Sequence, residues 1–365
     1  MTEVPVVRVG YLTEAEKRAF ILADNKLAEL ATWNEDVLRS ELRFLTDLNF
    51  DFDFSIIGFD TAEVDCILDD APDAASKDDD LTALASAQPA VSRRGDLWIA
   101  GTHRIYCGDA LVPDSYEVLL GADRAQLVFS DAPYNVPISG HVGGSGAVQH
   151  REFQMASGEM TVPEFTAFLT GAMKNMAGFS VDGSIHFACV DWRHVPEMLA
   201  AGTATYTELK NICVWKKTNA GMGSFYRSQH ELICVFKNGR SPHINNIELG
   251  KHGRNRSNVW EYAGLNSFGK HRDALLALHP TVKPVALVAD AIKDASARGD
   301  LILDPFAGSG TTVIAAEKTH RRAAVIEIDP LYTDAIVRRW QAYTDRDAVC
   351  ARTGVTFAMR AAAAG

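Results

Sequence analysis

The chain has 365 residues, 47% of them hydrophobic and 9% aromatic, which is enough for one large domain and a smaller attachment. No apolar run approaches the length of a membrane helix, and the N-terminus, Met1–Val4, lacks the basic and apolar segments of a secretion signal. We therefore expect a cytoplasmic protein without membrane contact. The six cysteines are scattered without a C-x-x-C pair, which predicts free thiols and no metal site.

The net charge of -11 is unevenly distributed along the chain. Residues 1–90 hold 20 acidic and 7 basic residues, whereas residues 210–275 hold 11 Lys and Arg against 4 Asp and Glu. The acidic front argues against DNA contact in that region. The basic segment is typical of surfaces that contact nucleic-acid phosphates.

The front of the chain is predicted to be helical. Thr13 and Glu16 form a capping-box pattern ahead of a helix over 14–31, and Asn34 or Thr32 precedes a second helix with an apolar stripe. Residues 69–80 are rich in Asp, Ala, Pro and Ser and contain nothing large enough to bury. We assign residues 1–66 to a small helical region and residues 67–92 to an acidic linker.

Beyond the linker, short apolar strands alternate with helices, which predicts an α/β sheet covered on both faces. The candidate strands are Asp96–Ile99, Arg104–Cys107, Gln126–Ser130, Ser184–Val190, Ile212–Lys216, Leu232–Lys237, Leu301–Asp304 and Ala323–Glu327. The candidate helices cover 162–178, 194–201, 284–296, 311–319 and 331–343. We place a catalytic domain at 93–348 and a C-terminal tail at 349–365.

A glycine turn follows the strand that ends at Asp304, in the order Asp-Pro-Phe-Ala-Gly-Ser-Gly-Thr-Thr. The turn presents backbone N–H groups and a helix N-terminus to a polar ligand. It lacks the third glycine of the dinucleotide fingerprint and the Gly-Lys-Ser/Thr of a phosphate loop. The next strand ends in Glu327, a position from which a carboxylate accepts hydrogen bonds from ribose hydroxyls. Together these features predict a nucleoside site.

A second motif, Asp131-Ala132-Pro133-Tyr134, follows an apolar strand. We expect it at the carboxyl edge of the sheet, where an exposed aromatic ring can stack on a flipped base and a carboxylate can accept an amine.

With these two motifs in this order, the chain resembles the permuted beta class of DNA methyltransferases, in which a D-P-P-Y motif precedes an F-x-G-x-G motif. The resemblance covers roughly residues 93–345. It implies a Rossmann-like methyltransferase fold with permuted motif order, S-adenosyl-L-methionine as cofactor, and double-stranded DNA as substrate. Relatives often form homodimers, and the oligomeric state stays open.

The resemblance also implies roles for particular residues. In the family, the Asp carboxylate and the next carbonyl accept the two amine hydrogens of adenine while the Tyr stacks on the base. The implied catalytic residues are Asp131, Ala132, Pro133 and Tyr134. The implied cofactor residues are Asp109, Lys283, Asp304, Phe306, Gly308, Gly310, Thr311 and Glu327. Lys283 belongs to a His-Pro-Thr-Val-Lys-Pro stretch that resembles a cofactor motif.

Ala132 departs from the family pattern, which has proline there. The carbonyl acceptor survives, but the fixed φ is lost. We expect an active enzyme, because every side chain that the chemistry uses is present. The amine then attacks the methyl group directly, and methylation at C5 of cytosine would need a Pro-Cys thiolate that the chain lacks.

The basic segment is the expected DNA reader, with target recognition over 240–275. The candidate DNA-binding residues are Lys216, Lys217, Arg227, Lys251, Arg254, Asn255 and Arg256. The glycine-rich stretch Gly140–His150 is either a loop that orders over DNA or a plain surface loop. Residues 1–66 resemble the last helices of a ParB-like domain whose first part is absent.

Four other functions stay open. The family also includes enzymes that methylate N4 of cytosine, although an Asp as the first residue of the motif favours N6 of adenine. An RNA or a protein amide could replace DNA as substrate, and Ala132 could mark a DNA-binding protein that has lost activity. A nicotinamide dehydrogenase is less well supported, because the third glycine and a hydride-transfer site are missing.

Overall fold

The computed structural model describes residues 11–30, 33–47, 54–68, 77–79, 89–136, 156, 158–221, 225–250, 254–264 and 282–364. The chain divides into two compact units, Met1–Asp53 and Phe54–Gly365. No helix in the described ranges is long and apolar enough to cross a membrane.

The first unit contains helices α1 (Glu14–Leu30) and α2 (Glu35–Asp47). The predicted capping box at α1 is confirmed, since Glu16 Oε2 accepts from Thr13 N at 2.8 Å and Thr13 Oγ1 accepts from Glu16 N at 3.3 Å. Asn34 Oδ1 caps α2 through Val37 N at 3.2 Å. Local side-chain oxygens thus fix both helix starts, as the sequence predicts.

The second unit contains the remaining helices and all of the described strands. Its helices are α3 (Thr61–Leu68), α4 (Pro113–Leu120), α5 (Val162–Gly178), α6 (Val195–Thr205), α7 (Val285–Ala295), α8 (Thr311–Lys318), α9 (Pro330–Thr344) and α10 (Phe357–Ala364). Its strands are β1 (Leu97–Ala100), β2 (His103–Cys107), β3 (Ala125–Ser130), β4 (Ser180–Val190), β5 (Glu208–Lys216), β6 (His230–Lys237), β7 (Val259–Glu261), β8 (Leu301–Asp304), β9 (Arg322–Glu327) and β10 (Val349–Cys350).

These strands form one mixed sheet in the order β10-β1-β2-β9-β8-β3-β4-β6-β5-β7. The strands from β2 to β4 pair in parallel, and β5 pairs in parallel with β7. β6 runs antiparallel to both of its neighbours, β4 and β5. The carboxyl ends of β3, β4, β5, β8 and β9 therefore share one edge with the amino end of β6.

The sheet is buried on both faces, as its apolar strands predict. Leu127 and Phe129 of β3 belong to one buried cluster, and Val128 of the same strand belongs to the other. This alternation follows from the two-residue repeat of a strand. The α/β fold class predicted from the sequence is confirmed.

Every predicted strand and helix has a counterpart in the structure, with ends shifted by up to four residues. The short elements α3, α4, β7, β10 and α10 are additional. They were missed because two to eight residues hold too few periods for a pattern to show. The predicted boundary at residue 66 falls inside α3, and the compact units instead divide after Asp53.

The predicted linker and the predicted C-terminal tail both contain residues that pack within the second unit. In the predicted linker, Asp79 Oδ1 accepts from Val285 N at 2.9 Å, and Asp78 pairs with Lys318. In the predicted tail, β10 pairs with β1, and Phe357 packs edge-on against Trp98 with ring centroids 5.1 Å apart. Acidic side chains that look solvated in the sequence thus serve as helix caps and ion-pair partners.

Candidate active site at the carboxyl edge of the sheet

The two sequence motifs meet where the direction of the sheet connections reverses. From β3 the chain passes to β4 on one side, whereas from β8 it passes to β9 on the other. Such a switch point leaves a crevice at the carboxyl ends of the two strands, where open α/β sheets bind ligands. Asp131 directly follows β3, and Asp304 ends β8. The topology therefore places both motifs at one site.

The glycine turn approaches its neighbours too closely for a larger residue. Gly310 has a φ of 78°, and a Cβ there would lie 2.8 Å from a carbon of Ile336. The turn leads into α8, whose N-terminal Thr311 is buried. Gly308 N donates to Glu327 Oε2 at 2.9 Å, which ties the turn to the end of β9.

Two buried carboxyl groups flank this turn. Asp304 accepts from the Thr312 hydroxyl at 2.6 Å and from Phe306 N at 3.0 Å. Burial raises the pKa of Asp304 to about 7, and it does the same for the pKa of Glu327. Both groups therefore suit a ligand that brings hydroxyl or ammonium donors to them.

Asp109 lies at the same edge, next to Glu327. Gly108 N donates to the Glu327 carbonyl at 3.0 Å, which extends the pairing of β2 with β9. The Asp109 carboxylate accepts from Leu111 N at 2.8 Å and so shapes the turn into α4. The predicted cofactor residues Asp109, Asp304 and Glu327 thus lie at the ends of neighbouring strands, along one edge of the sheet.

The catalytic motif forms a compact polar cluster. Asp131 Oδ1 accepts from the Tyr134 hydroxyl at 2.6 Å, and Asp131 Oδ2 lies 2.7 Å from Lys283 Nζ. Lys283 was predicted to bind cofactor, but its ammonium contacts Asp131. Tyr134 is partly buried and packs against the core, whereas the sequence predicted an exposed ring. The hydroxyl turns the ring inward because it bonds to Asp131 and, at 3.1 Å, to Lys283.

Glu231, which the sequence analysis missed, completes the cluster. It is buried near the start of β6 and lies 3.0 Å from Lys283 Nζ and 2.5 Å from Lys217 Nζ. Burial alone would raise the pKa of Glu231, but the two lysines lower it to about 2. For Lys283 the directions are reversed: burial alone would lower its pKa, but Asp131 and Glu231 raise it well above its ordinary value. Glu231 and Lys283 thus stabilise each other's charged forms, and their contacts hold the cluster together.

The turn that carries Asp131 is held by hydrogen bonds. Asn135, which adopts a φ of 52°, donates from its amide to the Met160 carbonyl at 2.8 Å. Its amide oxygen accepts from Gly158 N at 3.0 Å and Met160 N at 3.1 Å. Ala132 itself is buried in the core. The hydrogen bonds of Asn135 thus hold the chain three residues after Ala132.

Two of the predicted DNA-binding arginines have a different environment. Arg254 lies 2.6 Å from Asp294, and Arg256 lies 2.8 Å from Asp294 and 3.1 Å from Asp290. Both carboxylates belong to α7, and the Arg254 side chain is only 6% exposed. These pairs anchor the segment before β7 to the domain, so they do not present charge to a phosphate.

The remaining predicted DNA-binding residues are dispersed. Lys216 forms an exposed pair with Glu261 at 2.8 Å, Lys217 contacts Glu231, and Asn255 is exposed. Arg227 is exposed in the loop between β5 and β6. Lys251 and the stretch Gly140–His150 lie outside the described residues.

The described part of the chain contains no group of three or more His, Cys, Asp or Glu residues that could hold a metal ion. The carboxylates, amines and backbone groups described above gather at one edge of the sheet. Such a site is suited to binding a nucleoside-like ligand on the glycine turn and orienting a polar group at Asp131.

Comparison with known proteins identifies the family of the chain. Residues 125–338, more than half of the chain, match the family model described as DNA methylase (N6_N4_Mtase), and the chain belongs to this family. Residues 36–94 match a model described as the ParB-methyltransferase HTH domain, which confirms the predicted ParB-like region. That match spans both compact units.

Individual relatives are more distant. The chain is 31% identical over 144 residues to the type II methyltransferase M2.MboI of Moraxella bovis, and the matched region covers 38% of this chain and 51% of the relative. It is 27% identical over 238 residues to M2.DpnII of Streptococcus pneumoniae, covering 60% and 84%. The chain thus spans about half of the first relative and most of the second. A solved structure from Thermus thermophilus, a putative DNA modification methylase complexed with S-adenosyl-L-methionine, has a TM-score of 0.45 at 20% identity, over 70% of this chain and 96% of that one.

Proposed function

We propose that this chain transfers a methyl group from S-adenosyl-L-methionine to N6 of adenine in double-stranded DNA. The observation that carries the proposal is the position of Asp131. It is a carboxylate fixed by Lys283 and Tyr134 at the switch point of the sheet, beside the glycine turn. Membership of the DNA methylase family supports the substrate class.

On the base side, Asp131 and the backbone carbonyl of Ala132 accept hydrogen bonds from the two hydrogens of the adenine amine. Lys283 occupies Oδ2 of Asp131, so Oδ1 is the oxygen that faces an incoming donor once the Tyr134 hydroxyl yields it. Hydrogen bonds to the amine orient the nitrogen lone pair, and positioning of this kind supplies much of the catalysis in a direct displacement. The adenine has to leave the base stack to reach Asp131.

On the cofactor side, buried acceptors fit the donors of S-adenosyl-L-methionine. Glu327 would accept the ribose hydroxyls, and Asp304 carries a carboxyl group whose pKa of about 7 would fall beside an ammonium group. The residues that would hold the cofactor are Asp109, Asp304, Phe306, Gly308, Gly310, Thr311 and Glu327. When bound, it supplies an electrophilic methyl group.

The hydrogen bonds of Asn135 favour an active enzyme over one that has lost activity through Ala132. The turn needs a fixed carbonyl at residue 132, and three hydrogen bonds to Asn135 restrain the chain three residues later. DNA then approaches the carboxyl edge of the sheet, where the exposed Arg227 supplies positive charge. Lys216 and Lys217 lie at the same edge, paired with Glu261 and Glu231.

The test measures transfer of labelled methyl groups to unmethylated duplex DNA, followed by nucleoside analysis of the product. We expect N6-methyladenine from the unaltered chain, and a loss of about 100-fold or more in Asp131→Ala, because a group aimed at the reacting atoms is removed. Asp123→Ala is the matched control, since Asp123 lies before β3 at the opposite end of that strand and pairs with Arg104. Transfer that survives in Asp131→Ala would refute the role of Asp131.

The second candidate substrate is N4 of cytosine, an exocyclic amine that the same acceptors can bind. The family includes both activities, and the Asp at the head of the motif favours adenine. Label recovered in N4-methylcytosine would move the assignment to cytosine. Cofactor binding without any DNA product would favour a lapsed enzyme, or an RNA or protein substrate.

A further inference from the structure

Two large aromatic side chains stand in solvent in the loop between β5 and β6. Phe225 is 86% exposed and Tyr226 is 84% exposed, and their ring centroids lie 4.4 Å apart. Exposing two adjacent aromatic rings is unfavourable in water, and clusters of this kind commonly mark binding surfaces. Neither residue takes part in the chemistry described above.

Hydrogen bonds brace the described residues of this loop, which are 217–221 and 225–229. Lys217 N donates to the Gln229 carbonyl at 2.9 Å, and Gly221 N donates to the Ser228 carbonyl at 2.7 Å. Arg227 then reaches back across the loop, and its guanidinium donates to the carbonyls of Ala220 and Gly221, both at 3.0 Å. The aromatic pair therefore projects from a loop whose two ends are held together.

The ends of this loop lie beside the catalytic cluster. Lys217, the first residue of the loop, contacts Glu231, and Glu231 shares Lys283 with Asp131. The end of β5 and the start of β6 also lie on the edge of the sheet that carries Asp131. A duplex that delivers a base to Asp131 must pass close to this loop.

We propose that Phe225 and Tyr226 form an aromatic wedge that enters the DNA duplex beside the extruded base. The proposal rests on the proposed function, and it names the protein group that compensates the opened stack. Extruding a base leaves the faces of its neighbours and of its former partner unstacked, and aromatic side chains can replace that stacking. The exposed guanidinium of Arg227, which donates to backbone carbonyls of the loop, favours duplex DNA as the occupant of this surface.

The test uses the full chain and two DNA duplexes, both of which contain the methylation site mapped in the preceding experiment. One duplex is fully paired, and in the other the target lies opposite an abasic position, which lowers the penalty of extrusion. Phe225→Ala and Tyr226→Ala are compared with Tyr226→Phe, which keeps the ring. Met359→Ala is the matched control, because Met359 is an exposed apolar residue on α10, which packs near β1 at the far side of the sheet.

We expect each alanine variant to lower kcat/KM on the paired duplex by roughly 5- to 150-fold, the range that loss of base stacking on one ring produces. The deficit should largely disappear on the abasic duplex. Fluorescence of 2-aminopurine at the target position should rise less in the alanine variants than in the unaltered chain. Tyr226→Phe and Met359→Ala should behave as the unaltered chain does.

The outcomes separate the wedge from the proposed function. If the unaltered chain methylates DNA and both alanine variants match Met359→Ala on both duplexes, the wedge is refuted and the proposed function stands. An equal loss on the two duplexes also refutes the wedge, since it would indicate a general binding contact. If sedimentation shows that the alanine variants dissociate a dimer while extrusion is unchanged, the surface binds a second copy and the wedge is refuted. Absence of DNA methylation by the unaltered chain would overturn both proposals.

Discussion

Replacing Glu231 by Gln tests whether the buried charge cluster is a single energetic unit. The substitution removes one negative charge and keeps the size of the side chain. Lys283 and Lys217 now contact Glu231 at 3.0 and 2.5 Å, and after the change Asp131 would be the remaining carboxylate in contact with Lys283. A buried ammonium group that loses its partner is strongly destabilising.

The magnitude follows from the shift of the Glu231 pKa. Its two lysine partners lower that pKa from 4.5 to about 2 although the group is buried, and each unit corresponds to about 1.4 kcal/mol. We therefore expect Glu231→Gln to lower the free energy of unfolding at pH 7 by about 3 kcal/mol, which lies at the low end of the range for broken buried pairs. Because the folded pKa is depressed, this stabilisation is present above pH 4.5 and is lost as the pH falls toward 2. By pH 3 roughly half of the difference between the two proteins should be gone.

The assay is urea unfolding at several pH values, with Glu261→Gln as the control. Glu261 pairs with Lys216, the neighbour of Lys217, but their side chains are 67% and 51% exposed, so the loss should stay below about 1 kcal/mol. Methyl transfer by Glu231→Gln should fall in kcat, with cofactor affinity retained, because Glu231 contacts the Asp131 side of the site. Equal losses of stability in the two variants, or a difference that does not change with pH, would refute the reasoning.

Three further predictions concern the cofactor side and the anchoring of α3. Since burial raises the pKa of Asp304 and Glu327 to about 7, calorimetric binding of S-adenosyl-L-methionine should tighten as the pH rises from about 6 to about 8, and Asp304→Asn should flatten this profile. Gly310→Ala should weaken cofactor binding and lower the free energy of unfolding by more than Gly299→Ala does; both glycines have positive φ, but a Cβ at Gly299 meets nothing within 4 Å. Asp65→Asn should cost about 3–5 kcal/mol in urea unfolding, because its buried carboxylate holds the buried Arg321 and the partly buried Arg298; a loss below about 1 kcal/mol would contradict this.

The sequence located Asp131, Asp304 and Glu327 because each lies at the end of an apolar strand, and the sheet then gathers the strand ends at one edge. The sequence could not locate Glu231, because its partners Lys283 and Asp131 are distant from it along the chain. Glu231 reaches them because β6 lies antiparallel between β4 and β5. One indication was available: Glu231 is a charged residue directly before the apolar run of β6. Which residues Glu231 contacts depends on the strand order, and the sequence did not reveal that order.

The basic segment shows the opposite limit. Charge counted along a window records Arg254 and Arg256 but not the carboxylates of a helix packed across from them. Asp290 and Asp294 are four residues apart on α7, and so they share one face of that helix toward the two arginines. A local excess of positive charge therefore predicts a phosphate surface only where no acidic helix face meets it.

Lys283 explains why one residue could be assigned to the cofactor and yet lie at the catalytic carboxylate. Its ammonium contacts Asp131 and Glu231, while its backbone carbonyl accepts from the Thr311 hydroxyl at 3.2 Å, at the start of the helix that follows the glycine turn. One residue thus joins the two halves of the site across the switch point. Movement of the glycine turn on cofactor binding would be passed to the carboxylate through this residue, so the site is expected to respond as one unit.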